Sequence, residues 1–524
     1  ISTRLDSREP NSKDYVEMNN HLGRVQELLR EGVSRTDIGI LHLRYGENTA
    51  YPFSDMNAFR EHKGLTWSDT SLQDNGYTYD YFSPDYLDNM TYDPENGLGE
   101  NVGYQAIIVQ QEVLPVEDAK TLLEFAKQGL KVVVLDGAGT KSPYNDDTAE
   151  ELNSVMDELK ALDNVKTAAS EADAMTVLQE MDVRPRAELT GGNTQLMTQL
   201  RENEGDRYLY VYNYCDGSKC SIDHGLNATQ EISLEGEYIP YYIDSWTGDV
   251  EEVANYRHED GRTIITVDID YCNVALYAFE PTEEEENHVT ETDGKVLTKA
   301  NGTTVMRVTE SGSYKAVDNA GNETAVEAEV PEAQPLNNWK LTVESWEPGD
   351  KLTRSETRNT TVMEDGELVE KEVTTTEVKY DTKKTNIDVE LSELKTWDEI
   401  EEVGQSVSGI GYYKTTFNWD STKADGAYLD LGTIPQSVTV EVNGQKTAPV
   451  NVNDAVVDIS EYLTDGENTL KVTVTSTLTN YLLSVGRMEE GPVGFTDYEV
   501  KYFKNGLSSV TLMPYVEKEI ALNE

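Results

Sequence analysis

The apolar pattern of this chain changes period at Pro185, and the change separates what can fold before that residue from what can fold after it. Ahead of it, a helical face of Met18, Leu22, Val25 and Leu29 ends at Gly32 and leads into an apolar strand over residues 37–43. A second apolar run, 104–109, is followed by Pro115 and a helix carrying Val116, Ala119, Leu122, Leu123 and Ala126, which stops at Gly129. A third run, 131–135, precedes a helix with Leu152, Val155, Met156 and Leu159 facing inward. Continuously apolar strands separated by helices predict a parallel sheet covered on both faces. Residues 1–183 therefore read as a Rossmann-like α/β domain.

Beyond Pro185 the runs 208–214, 264–269 and 274–279 are strands separated by Gly, Asp and Asn turns, predicting a small antiparallel β domain over residues 184–280. Cys272 lies within the apolar stretch 267–279 and reads as core. Residues 281–335 combine an acidic linker, Pro281–Asn287, with a small β module turning at 318–322. The remainder, 336–524, is again all β. Asp365-Gly366 and Asn443-Gly444 mark hairpin turns, and the strand spacing points to a sandwich or jelly roll.

Charge narrows the function classes. The 524 residues include 43 Lys and Arg against 98 Asp and Glu, a formal net charge of −55. Nucleic acid is disfavoured, because binding it requires cations that displace phosphate counterions. An anionic membrane surface is disfavoured too. With a mean hydropathy of −0.58 the chain has no apolar run approaching a membrane span. The 30 Tyr, 6 Trp and 8 Phe are too many large side chains for a disordered chain, and the length suits three or four domains. Three Cys exclude a disulfide scaffold. Cys215 and Cys220 flank a hairpin tip and can be read as a local disulfide or as two thiols.

Few motifs carry chemistry on their own. Asp136-Gly137-Ala138-Gly139-Thr140 follows a strand but lacks the third glycine of a dinucleotide fingerprint, so it reads as a strand-to-helix turn. The six His form no metal-ligand spacing. Asp93-Pro94-Glu95-Asn96-Gly97 could hold calcium, but it lacks EF-hand spacing and reads more simply as a solvated turn. No other cofactor is indicated. A catalytic carboxylate pair is defined by proximity in space, so no catalytic residue is assigned. Trp67, Tyr77, Tyr79 and Asp80 stand out in a loop-like stretch crowded with rings and carboxylates. Ring faces can stack on the C–H faces of a sugar while carboxylates accept from its hydroxyls. These four residues are the candidate carbohydrate contacts, with packing of the Tyr rings as the alternative.

Specific motifs add a resemblance. Residues 408–417 resemble the Gly-x-x-x-Tyr-x-x-x-Phe opening of galactose-binding-like jelly rolls in glycoside hydrolases. Tyr428–Gly432, Val440–Gly444, Val457–Leu463 and Gly466–Leu470 then follow in that module's order. Gly491-Pro492-Val493 resembles the close of the same module in α-L-rhamnosidase-like enzymes of glycoside hydrolase family 106. Gly76–Tyr81 and the Trp246-Thr247-Gly248 turn are similar to elements of the Rossmann-like and β domains that follow the catalytic barrel there. The resemblance implies a multidomain α/β plus all-β chain: a Rossmann-like parallel sheet, a small antiparallel β domain, a small β module and a galactose-binding-like β-sandwich. It further implies the non-catalytic C-terminal portion of a secreted or cell-surface bacterial glycoside hydrolase. Its partners would be an oligosaccharide or polysaccharide and a catalytic barrel N-terminal to it. A stand-alone carbohydrate-binding protein is the alternative. The start at Ile1 fits a processed product or an excerpt of a longer chain.

Overall fold

The computed structural model describes residues 9–42, 67, 69–143, 147–192, 196–213, 228–270, 272–282, 287–364, 367–492 and 499–522. It is mixed α/β and mostly β, with one parallel sheet and several antiparallel ones. Two compact units make up the chain: residues 21–308, 312–328 and 517–524 in the larger, and residues 1–20, 309–311 and 329–516 in the smaller.

In the larger unit the apolar runs become parallel strands β1 (Ile38–Leu41), β2 (Tyr79–Phe82), β3 (Ala106–Val109), β4 (Lys131–Leu135) and β5 (Val165–Ala168). Their spatial order is β2-β1-β3-β4-β5. β1 and β3 are buried at every position, as expected of strands covered on both faces. Gly39 lets its neighbours close over β1: a Cβ there would meet Phe82 and Ile107 side-chain carbons at 2.6 Å and force those side chains to shift. Helices α2 (Val116–Lys127), α3 (Ala149–Lys160) and α4 (Glu171–Glu180) bury the expected stripes, including Leu122, Leu152, Met156 and Leu159.

Three expectations are corrected. Residues 79–82 form the edge strand of the parallel sheet rather than a loop. In helix α1 (Tyr15–Leu28), Val25 and Leu28 are buried while Met18 and Leu22 are exposed, so the expected face is not buried along its length. Cys272 is a half-buried residue in a left-handed turn (φ 57°) between two strands, not part of a continuous core strand.

Past Pro185 the period-two runs build two antiparallel sheets from β6 (Ala187–Leu189), β7 (Leu196–Asn203), β8 (Asp206–Asn213), β9 (Ala228–Glu235), β10 (Tyr238–Ile243), β11 (Val250–Glu252), β12 (Tyr256–Glu259), β13 (Arg262–Ile269) and β14 (Val274–Pro281). One sheet runs Val33–Arg35, β7, β8, β14, β10, β11; the other runs β12, β13, β9, β6. Leu209, Val211, Ile232, Val267 and Phe279 fill their core. The buried Arg262 secures the chain where it leaves the parallel sheet: its Nη2 donates to the Pro185 and Ser233 carbonyls at 2.7 and 2.6 Å. The Trp246-Thr247-Gly248 turn closes on Asp244, whose Oδ1 accepts from the Trp246 N–H at 2.7 Å, and the indole stacks on His21 at 4.4 Å. A three-stranded sheet (Val289–Thr292, Gly312–Asp318, Glu323–Ala328) turns at Asp318, which accepts from the Asn322 N–H at 2.7 Å. Cys215 and Cys220 lie outside the described residues, as does most of the acidic 281–287 stretch.

In the smaller unit, β15 (Trp339–Glu364) and β16 (Glu367–Leu391) pair along their length. The Asp365-Gly366 turn lies outside the described residues. β15 pairs with β17 (Gly409–Trp419) only over Lys340–Ser345, so the distal part of the hairpin is a two-stranded ribbon exposing Leu352, Met363 and Tyr380. The sheet continues from β17 through β21 (Gly466–Thr475) to β19 (Ser437–Val442). Opposite it, β18 (Gly426–Asp430) pairs with β20 (Val456–Asp458) and with Thr511–Glu519.

The residues that suggested this module are its fasteners. Asn443 and Gly444 both take positive φ, as a type I′ hairpin requires. Asn468, fully buried, ties that turn to its own loop through Asn443 Nδ2 (2.7 Å) and the Thr464 carbonyl (2.6 Å). Tyr413, also fully buried, accepts from Trp397 Nε1 at 2.9 Å and from the Leu507 N–H at 3.2 Å.

Candidate functional site

In an open α/β sheet, ligands sit at the carboxyl ends of the strands, where the strand order reverses. In the order β2-β1-β3-β4-β5 that place lies between the ends of β1 and β3. The residues there are His42, directly after β1, and Gln110 and Gln111, directly after β3. Gln111 Nε2 lies 3.3 Å from His42 Nδ1, and the Tyr81 ring meets the His42 imidazole edge-on at 5.7 Å. Trp67 presents its backbone N–H to the Tyr81 hydroxyl at 2.7 Å. Burial raises the Tyr81 phenol to about 12, so it is a neutral hydroxyl at ordinary pH. Trp67 Nε1 and Gln110 Nε2 are buried donors without a partner among the described residues, which is rare enough in a folded core to mark a place. The group offers hydrogen-bonding atoms and ring edges, with no carboxylate among its five residues.

The four residues expected to contact carbohydrate separate here. Trp67 and Tyr77 lie in the core of the parallel sheet, 6% and 2% exposed, and the Tyr77 hydroxyl donates to the Val183 carbonyl at 2.6 Å. Burial holds the Tyr77 phenol well above its usual pKa. Tyr79 is half-buried and stands edge-on to Tyr81 at 5.8 Å. Asp80 is exposed and accepts from the Tyr104 hydroxyl at 3.2 Å. Sequence reasoning missed His42, Gln110 and Gln111. The usable signal was their position, immediately after apolar strands of a predicted parallel sheet.

At the opposite, amino ends of β1, β3 and β4 is a polar cleft of about 260 Å³, lined by Arg35, Arg186, Arg207, Glu202 and Glu235 among others. Arg35 grips Glu202 with Nε and Nη2 at 3.2 and 3.1 Å. Arg186 meets the buried Asp37 at 3.3 Å and donates to the Gly103 carbonyl at 2.7 Å. Arg207 lies 3.8 Å from Glu202 and 3.6 Å from Glu235. Burial alone would raise the Glu202 carboxyl, but Arg35 and its neighbours bring it below the usual carboxylate range. Glu202 therefore stays ionised and is unsuited to donating a proton. The 93–97 turn is likewise self-satisfied: Asp93 Oδ1 accepts from the Glu95 and Asn96 N–H groups at 2.8 and 2.9 Å. Among the described residues, no group of three or more His, Cys, Asp or Glu is placed to hold a metal ion. No described helix is long and apolar enough to cross a membrane.

No protein-family model matches the sequence, and a comparison with curated proteins finds no match. Solved structures do match. A rhamnosidase from Novosphingobium sp. PP1Y aligns over 98% of this chain with a TM-score of 0.62 at 16% identity, covering 42% of the rhamnosidase. The chain shares the fold of part of a rhamnosidase. It spans less than half the length of that protein. Two further structures overlap about half of the chain at low scores, and the fold assignment does not depend on them. They are an exo-carrageenase from Bacteroides ovatus (TM-score 0.28, 12% identity, 47% of this chain and 29% of that one) and a β-galactosidase from Bacillus circulans sp. alkalophilus (0.30, 10%, 50% and 44%).

Proposed function

We propose that this chain is a non-catalytic C-terminal portion of a secreted or cell-surface glycoside hydrolase of the α-L-rhamnosidase type, bracing a catalytic barrel and contributing to carbohydrate binding. The observation that carries the reading is the alignment of nearly the whole chain with 42% of a rhamnosidase. Two features of the larger unit support it: the polar group without a carboxylate at the carboxyl edge of the parallel sheet, and a cleft at the other edge whose arginines and carboxylates pair with one another. Neither supplies the pair of carboxyls, one protonated and one ionised, that glycoside hydrolysis uses. Within the aromatic stretch, Trp67 and Tyr77 fix the backbone; Tyr79 and Asp80, successive residues of β2, point to opposite faces of the sheet, and the exposed Asp80 is the one that faces a sugar. Assay of this chain on aryl rhamnosides and galactosides tests the reading. No turnover is expected, and robust turnover overturns it. The alternative, a stand-alone carbohydrate-binding protein, is favoured if the chain alone binds neutral oligosaccharides at micromolar concentration and Asp80→Ala abolishes that binding.

A further inference from the structure

On the outer face of the smaller unit's main sheet, three lysines stand side by side. The strand register places Lys340 of β15 opposite Lys414 of β17, and Lys414 opposite Lys471 of β21. Their sequence neighbours Leu341, Tyr413, Leu470 and Val472 are buried, so all three ammonium groups are on the solvent side. Residues directly opposite on antiparallel strands have Cβ atoms about 4.5–5.5 Å apart, and like charges so placed are destabilising.

Acids stand at both ends of this row: Glu390 of β16 is opposite Lys340, and Glu441 of β19 is opposite Lys471, so Lys414 alone has lysines on both sides. Lys471 is ion-paired, 2.7 Å from Glu441, with its ammonium 5.9 Å from the centre of the Tyr412 ring. Lys340 and Lys414 have no hydrogen bond or ion pair with any described residue. Scarcity of acids does not explain this, because the chain carries 98 of them against 43 cations. The lysines line a groove of about 550 Å³ together with Asn338, Thr416, Thr469 and Glu441.

We propose that this groove binds an anionic sugar residue, carboxylate- or sulfate-bearing, of a polysaccharide. The anion sits between the Lys340 and Lys414 ammonium groups, relieving their repulsion. Thr416, Thr469, Asn338 and the Glu441 carboxylate provide donors and acceptors for ring hydroxyls. A polyphosphate fits less well: nucleic-acid affinity is built on many neutralised phosphates, and the surrounding chain is strongly acidic. The site shares no residue with the carboxyl-edge group of the larger unit and does not rest on the function proposed above.

The test is titration calorimetry of the full chain with polygalacturonate, dextran sulfate, uncharged dextran and duplex DNA at low and moderate salt. Binding to one or both anionic glycans is expected, weakening with salt, with no binding to dextran; which glycan binds identifies the anion. Lys340→Gln and Lys414→Gln should each weaken it about tenfold, the loss of one charged hydrogen bond. Lys395→Gln, at an exposed lysine outside the groove, should leave it unchanged. Failure of both anionic glycans overturns the proposal. So does equal or tighter binding of DNA, or a loss in Lys395→Gln as large as in the groove variants.

Discussion

Two clusters of cations in this acidic chain behave in opposite ways. At the amino edge of the parallel sheet, Arg35, Arg186 and Arg207 each lie within 4 Å of a carboxylate, and Arg186 also caps backbone carbonyls. On the outer face of the smaller unit's main sheet, Lys340 and Lys414 oppose one another, and neither makes an ion pair or hydrogen bond with a described residue. The chemistry of the side chains matches the division. Guanidinium groups fork onto carboxylates and tolerate burial, whereas ammonium groups on flexible stems remain hydrated and available. The arginine cluster holds parts of the fold together; the lysine row is left for something outside it.

The sharpest way to break this comparison is Asp37→Ala. The Asp37 carboxylate is 2% exposed and accepts from the Thr78 N–H (3.0 Å), Gln105 Nε2 (2.8 Å) and the Arg186 N–H (3.1 Å). Removing it strands these donors and the half-buried Arg186 guanidinium, and stability should fall by about 3–5 kcal/mol in urea unfolding. A loss below about 1 kcal/mol would show that the arginine cluster is as dispensable to the fold as the lysine row.

Trp67→Ala should cost about 3 kcal/mol, because the ring lies in the core of the parallel sheet. If instead stability is kept and glycan binding is lost, Trp67 is a ligand platform. The sequence could signal aromatic crowding around residues 67–81, but not which rings point inward. That depended on Tyr79–Phe82 joining the sheet edge, and four residues rich in Tyr and Asp give a weak strand signal beside β1 and β3. The helices and the central parallel strands were legible because full burial leaves uninterrupted apolar runs. Asn443-Gly444 was legible because its turn type demands those residues. The lysine row was not. Lys340, Lys414 and Lys471 come from three strands, and their alignment is a matter of register, which only the partner strands fix.

A smaller effect separates a buried acid without a cation from the paired acids of the arginine cluster. Burial, together with Asp85, Asp88 and Glu117, raises the Asp118 carboxyl to about 6. The native state then holds a proton that the unfolded chain releases between about pH 4 and 6, so stability falls as pH rises through that window. Asp118→Asn removes the titration. It should match the parent near pH 4 and exceed it by about 1 kcal/mol at pH 7, a figure kept well below the full shift because solvent screens the site. Equal pH slopes for the two proteins would refute the assignment.

The smallest expected effect lies in the lysine row itself. If Lys340 and Lys414 repel, Lys414→Gln should raise stability by a few tenths of a kcal/mol at low salt. The gain should vanish at about 1 M salt, where the Debye length shrinks to about 3 Å. An arginine of the cleft answers oppositely: Arg35→Gln breaks its paired bonds to Glu202 and should destabilise at any salt. A Lys414→Gln variant that is less stable than the parent would mean that the lysine stem packs on the sheet. The two clusters would then differ in degree of pairing rather than in purpose.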